Sequence, residues 1–403
     1  MIDSKHLKNN IPSSKLLELP QEFGWGLSDD ITTPTIGLTE VDRFTNKFKC
    51  SDVRISLSTG DTSNIIYVDI HKNDVSIFDT QVSIDISGST SVSATTPFIF
   101  SLSANTVTFI DDEEVKFYVS GATDCTGLKV KLIGDRIINY DEATTAFISV
   151  VTGLTQSQET AINDLVVGLK NNGTWDKHSA IYPMIGGTAY NHKWNLKDPR
   201  DLDAAHRITW GGSVTHDLSG ITGNGTDAYG NMHFNKNDFW SSTNVGYSIY
   251  SRSDTRDIGT EFGVRPNISG AGHLKIHLRY TIGFDNTISD MFGDTEGTGR
   301  FLVNPSIPSA GLFSVNQLGG TSHNVYKNTD SAVTNTGDYT ANFASVPAID
   351  IYILAHNRET VGATEFTSRN LSFFSAGDAL TATEITNDYT VIQAYQTALG
   401  RQV

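Results

Sequence analysis

One short segment gathers most of the residues that could do chemistry. Residues 195–212, NLKDPRDLDAAHRITWGG, hold Lys197, Asp198, Arg200, Asp201, Asp203 and Arg207. The chain as a whole is only 18% charged, below the roughly 25% of an ordinary soluble domain. Two readings follow. Trp194, Asp201, Asp203 and His206 could form a site for a glycan or a metal ion. Alternatively, the charges lock a corner. Asp198 would cap a helix beginning at Pro199, whose missing N–H has no intrahelical role there. Arg200 and Arg207 would fork onto Asp201 and Asp203, and HRITWGG would continue as a strand. The locked corner is the favoured reading. Paired carboxylates for glycoside hydrolysis need about 5–10 Å between them; Asp201 and Asp203 could meet that, but nothing else in the sequence supports it.

A second acidic stretch, DNTISDMFGDTEGTG, carries Asp285, Asp290, Asp294 and Glu296. Hard cations such as calcium take several oxygen ligands from loops of this kind. The spacing is not that of an EF-hand, and a solvated loop is the plainer reading. No motif demands a cofactor, calcium being the one ion this loop could take. His273 and His277 would suit zinc on a helix. HLKIHLRY alternates like a strand, however, which puts the two rings about 13 Å apart and excludes a shared metal. Its polar side (His273, Lys275, His277, Arg279) reads as a wet outer sheet face, with a ligand groove as the sharper alternative.

Aromatic side chains beside amide and carboxylate groups are suited to sugars, the ring stacking on the apolar face of the pyranose. Trp194, Trp210, Tyr229 and Trp240 have such neighbours, although core packing is the commoner fate of any one of them. G-x-S-x-G, H-E-x-x-H, Walker A, Rossmann and C-x-x-C signatures are all missing from the sequence, which argues against an enzyme.

These residues must be positioned by strands. Residues 1–45 are polar and irregular and read as an anchoring arm or a loose tail. Residues 46–136 alternate with period two. In NIIYVDIHKNDVSIFD, Ile66, Val68 and Ile70 share a face, HKND turns the chain, and Val75 and Ile77 resume the alternation. A small antiparallel β-sandwich is predicted there. Residues 137–172 read as a linker containing a helix, capped by Thr155 with Gln158 three places on. Ala161, Ile162, Leu165, Val166 and Leu169 form its apolar face. Residues 173–403 return to strands and turns, as in AIDIYIL with Ile349, Ile351 and Ile353, and predict a larger sandwich. That part closes with a second helix capped by Thr381 and Glu384, with Ile385, Tyr389, Ile392 and Tyr395 as its stripe. The predicted fold class is all-β: two antiparallel sandwiches with two flanking amphipathic helices.

The 403 residues carry a net charge of −16, which repels nucleic-acid phosphate. No apolar run approaches the ~18 residues of a membrane span, and no secretory signal is visible. The two cysteines, Cys50 and Cys125, read as two buried or edge thiols, with a disulfide as the alternative.

The segments GLTQSQETAINDLVVGLKNNGTWDKHSAIYPMIGGTAYNHKWNLKDPRDLDAAHRITWGG, GNGTDAYG and TEITNDYTVIQAYQTALGRQV resemble a family of phage virion proteins: head-fibre, spike or tail components of phages infecting Bacteroidetes-type bacteria. The resemblance covers about residues 150–403. It implies a C-terminal laminin-G-like, concanavalin-A-like jelly roll on the virion surface, made in the bacterial cytoplasm, that attaches to host-surface carbohydrate without turnover. The ligand residues expected on this reading are Trp194, Asp201, Asp203, His206, Trp210 and Tyr229. The metal candidates are Asp285, Asp290 and Asp294, although the calcium ligands of such lectins do not map onto this chain. Further expectations are a homo-oligomer (a trimer, or a pentamer at a vertex) and contact with other capsid or tail proteins through the N-terminal part. The alternatives are a decoration or joint protein without ligand, and a capsule-polysaccharide depolymerase.

Overall fold

In the computed structural model the chain divides into two compact units, Met1–Asn139 and Tyr140–Val403. The described residues are 21–26, 30–31, 42–43, 47–56, 65–78, 82–85, 107–109, 113–120, 125–126 and 129–137 of the first unit. In the second they are 140–268, 272–280, 286–291, 300–303, 307–319, 322–336 and 343–403. Most of the segment expected to be an arm therefore lies outside them.

Alternation builds the first unit. Strand Lys129–Ile137 lies between Gln21–Gly26 and Lys47–Ser56, and Val107–Phe109 extends that sheet. In a second sheet Ile65–Lys72 pairs with Glu114–Ser120, Val75–Ser76 and Val82–Asp85. The hairpin at HKND is present. Asn73 and Asp74 take φ of 50° and 67°, the left-handed pair that a two-residue turn between twisted strands requires. Val68, Ile70 and Ile77 are buried, but Val75 is exposed at the hairpin tip. Asp69, which alternation places on the face opposite to Val68 and Ile70, is buried too, where Ser76 Oγ donates to it at 2.6 Å and His71 Nε2 lies 3.0 Å away. Cys50 is fully buried; the side chain of Cys125 lies outside the described residues.

The second unit is a two-sheet sandwich with helices on one outer face. One sheet runs Thr215–Asp217, Gly220–Thr222, Asn370–Gly377, Asn244–Ser251, Gly311–Leu318, Ser322–Lys327 and Asp330–Thr336, with His178–Tyr182 also on Asn370–Gly377. The other runs Thr209–Gly211, Tyr229–Asn231, Tyr352–Ile353, Phe262–Arg265, Leu274–Tyr280, Asn286–Met291 and Arg300–Val303. Between these strands pairing is antiparallel except where His356–Arg358 runs parallel to Phe262–Arg265, and the isolated bridges Asp257–Tyr280 and Thr260–Phe366 are parallel too. Tyr247, Ile249, Phe313 and Phe374 of the first sheet meet Phe262, Val264, Leu274 and Ile276 of the second in one core.

The opposite face of the first sheet presents Ile181, Tyr250, Leu312 and Phe373 to a second core. Helices α1 (Glu142–Ile148) and α2 (Gln156–Asn171) cover it, and so does the C-terminal helix Ala382–Ala398. Helix α2 is therefore part of the second unit, which takes in residues 140–172 of the stretch read as a linker. Its Thr155–Gln158 capping box and all five predicted apolar residues are in place. The C-terminal helix has its Thr381–Glu384 box, but its buried stripe includes Asp388 and Gln396, while Tyr389 is only partly buried. Asp388 is inside because Thr174 Oγ1 donates to it and His178 Nε2 lies 2.8 Å from its other oxygen.

Candidate ligand-binding face

Period two decides what reaches the surface of the second sheet. Thr209, Trp210 and Gly211 lie opposite Asn231, Gly230 and Tyr229, and Asn231 lies opposite Tyr352. Ile208 and Ile353 belong to the core, with Trp210 packed against it. Thr209, Gly211, Tyr229, Asn231 and Tyr352 consequently share the outer face. Tyr229 and Tyr352, both half-buried, stack with ring centroids 4.8 Å apart and planes 20° from parallel. Burial, with smaller contributions from Tyr229 and Asp350, pushes the Tyr352 phenol above its ordinary pKa.

Polar groups flank this pair at both ends. Asn231 Nδ2 donates to Asp350 Oδ2 at 3.0 Å. His233 lies between two carboxylates, 3.6 Å from Asp350 and 3.6 Å from Asp203, and its Nε2 is 2.7 Å from Thr209 Oγ1. Arg207 links Asp203 to Asp201, which Lys193 also reaches at 3.0 Å. Lys193 and then Arg207 hold the Asp201 carboxyl below the usual range. At the other end, Asn224 Oδ1 accepts from the N–H groups of Thr226, Asp227 and Ala228, while its Nδ2 donates to Asp227 at 2.6 Å. The hydrogen bonds from Asn224 and the Ser213 N–H lower the Asp227 pKa.

Of the six predicted ligand residues, Asp201, Asp203 and Tyr229 lie on this band, and the other three do not. Trp194 is 3% exposed, edge-on to Tyr190 and 4.2 Å beneath the Lys193 ammonium. It belongs to the core under the helices. His206 closes a turn in the left-handed region (φ 60°). Its Nδ1 lies 2.9 Å from the His233 carbonyl and its ring is edge-on to Phe234 and Phe239. Trp210 points to the inner side, donating from Nε1 to the Ala189 carbonyl at 3.0 Å. Trp240 is buried and donates to the Gly377 carbonyl. Asp285, Asp294 and Glu296 lie outside the described residues, as does the side chain of Asp290. Among the described residues, no three His, Cys, Asp or Glu side chains are placed to share a metal ion.

The corner at residues 195–212 is locked by charge, but differently from expectation. No α-helix starts at Asp198. Its carboxylate is taken by Arg200 at 2.7 and 2.5 Å and is not free to cap. The only helical element is the 3-10 turn Asp203–Ala205, preceded by Leu202. The polar side of Leu274–Tyr280 is not wet either: His273, Lys275 and His277 are all buried. The chain turns back over that face at residues 356–365, bringing Glu365 to 3.4 Å from Lys275, 3.3 Å from Arg265 and 3.2 Å from His356. Arg279, beyond a register shift, reaches Asp254 instead.

Sequence reasoning missed Asn231, His233, Asp350 and Tyr352. For two of them a signal existed: Asp350 and Tyr352 are the positions of AIDIYIL opposite to the isoleucines.

No family model matches this chain, and no curated protein matches it. Among solved structures it is similar to a mutant of Trypanosoma rangeli sialidase displaying trans-sialidase activity, at 10% identity and a TM-score of 0.32, over 69% of this chain and 43% of that one. It is also similar to T. rangeli sialidase in complex with 2,3-difluorosialic acid, at 11% identity and a TM-score of 0.28, over 67% and 42%. The chain thus spans less than half the length of either, and at such scores neither likeness bears on function.

Proposed function

We propose that this is a non-catalytic attachment protein of a phage particle surface, a spike, head-fibre or tail component, whose second unit holds bacterial surface carbohydrate. The observation that carries the binding part is the half-buried Tyr229–Tyr352 stack, set between hydrogen-bonding groups on an outer sheet face. Such a pair offers an apolar platform to one face of a sugar ring, and Asn231, Asp350 and His233 offer partners to its hydroxyls. The particle location rests on the sequence resemblance. Weak single sites would be multiplied on a symmetric homo-oligomer, a trimer or a pentamer, where avidity gains of about 10²–10⁴ are ordinary.

The test is binding of the full chain to surface polysaccharide from a susceptible Bacteroidetes-type bacterium. Tyr229→Ala and Tyr352→Ala should each lower affinity about tenfold or more, in line with the loss of one stacking contact. Unchanged binding in both variants sinks the assignment of this face. A ligand-free joint protein is the second reading. It is favoured by the engagement of Asp201 and Asp203 with Arg207 and Lys193, and it predicts no binding at all.

A further inference from the structure

The carboxylates around the tyrosine pair are unequally compensated. Both cations of the band are spent at one end, where Arg207 serves Asp201 and Asp203 and Lys193 serves Asp201. The two carboxylates that stand two positions before each tyrosine, one at either end of the ring pair, are different. Asp350 has Asn231 and, at 3.6 Å, His233. Asp227 has Asn224 and the Ser213 N–H. Among the described residues neither forms an ion pair with a lysine or arginine. A ligand on Tyr229 and Tyr352 would thus sit beside Asp350, whose charge acts on Tyr352, and two positions along the strand from Asp227, neither with a full countercharge, on a chain whose net charge is −16. Hydroxyl groups can donate to such carboxylates; a sugar carboxylate can only be repelled by them.

We infer that this face selects uncharged sugars and rejects uronic and sialic acids, with Asp350 and Asp227 as the residues that set the selectivity. The inference rests on the reading of the Tyr229–Tyr352 face as a carbohydrate site. The field of Asp350 already reaches that face, since it contributes to the raised pKa of Tyr352.

The experiment pairs polygalacturonate with the neutral galactan obtained by reducing its C6 carboxylates to hydroxymethyl groups, so that the two differ only at C6, and measures binding of the full chain to each. The galactan is expected to bind about tenfold or more tightly at low salt, one like-charge contact being worth at least that. Asp350→Asn and Asp227→Asn should each shrink the ratio severalfold while thermal melting shows both variants folded. Added salt at about 0.5 M should shrink it in the wild type. Equal or tighter binding of polygalacturonate, abolished by Tyr229→Ala, would overturn the selectivity and leave the carbohydrate face standing. A ratio unmoved in both aspartate variants also overturns it. If neither these two polymers nor the host polysaccharide binds, the carbohydrate face itself falls, and the selectivity with it.

Discussion

The ring of Tyr229 lies over Gly211: a β-carbon built on Gly211 would stand 2.3 Å from Tyr229 Cζ. The two residues are direct cross-strand partners, so the missing side chain of one makes the bed for the other.

Gly211→Ala should therefore lift Tyr229 off its strand and break the stack with Tyr352. The ring is half-buried and can move outward, so the stability loss should be modest, about 1–2 kcal/mol by analogy with overpacking. Carbohydrate affinity should fall nearly as far as in Tyr229→Ala. A variant that melts close to the wild type yet binds at full strength would show that the ring position is irrelevant to binding.

The contact between α2 and the C-terminal helix depends on a second glycine. A β-carbon at Gly168 would stand 2.8 Å from Val391 Cγ1. A leucine there must push the helices apart over the core formed by Leu165, Leu169, Ile392 and Tyr395. Gly168→Leu is expected to destabilise the second unit by about 1–3 kcal/mol, read as a drop in Tm by calorimetry. The double variant Gly168→Leu/Val391→Ala should recover much of the loss, because the two substitutions share one contact.

The same helix shows what was legible in the sequence. Its cap and apolar face follow from local rules that depend on a few neighbouring residues, and both were readable. The antiparallel strands were readable for the same reason. The covering of a sheet face was not. His273, Lys275 and His277 alternate as an exposed strand should, yet the return of residues 356–365 brings Glu365 to Lys275 and His277 from some 90 positions away in sequence, and the Gly259 carbonyl lies 2.8 Å from the His277 ring. Trp194 and Trp210 differ from expectation for a related reason: an aromatic next to polar residues says nothing about whether its ring turns to the core or to the surface. Asp198 failed as a cap because an arginine two residues on competes for the same oxygens.

Glu261 and Arg369 form an ion pair with both side chains fully buried. Glu261 also accepts from the Leu278 N–H at 2.7 Å and Thr367 Oγ1 at 3.0 Å, and Arg369 donates to the Thr255 carbonyl at 2.9 Å. The pair joins the residues that immediately precede Phe262–Arg265 in one sheet and Asn370–Gly377 in the other. Burial raises the Glu261 pKa, while Arg369 and the N–H donor oppose the rise. Removing one partner strands the other, so Arg369→Met should cost about 3–5 kcal/mol. Glu261→Met/Arg369→Leu should be less destabilised than Arg369→Met alone, as chemical denaturation of the three proteins would reveal. The opposite order would mean that the hydrogen bonds of Glu261, and not the stranded charge, govern the loss.

The last prediction concerns acid. His192 Nδ1 lies 3.1 Å from His216 Nδ1, and the Gly187 N–H donates to His192 Nε2 at 3.2 Å. His192 therefore carries its hydrogen on Nδ1 and donates it to His216, an arrangement that needs both rings neutral. Burial, then the neighbouring His216 and Arg401, pushes His192 down to about 3, with Asp217 opposing; burial pushes His216 down to about 4. In the unfolded chain both titrate near 6.5. Between pH 6.5 and these folded values the unfolded state binds more protons, so stability is full above about 6.5 and declines as pH falls towards 4. Thermal melts should show Tm dropping from pH 7 to pH 5, before most carboxylates titrate. In His216→Gln, which keeps an acceptor for His192, the drop should be smaller. An identical drop in that variant would remove the histidine pair as its cause.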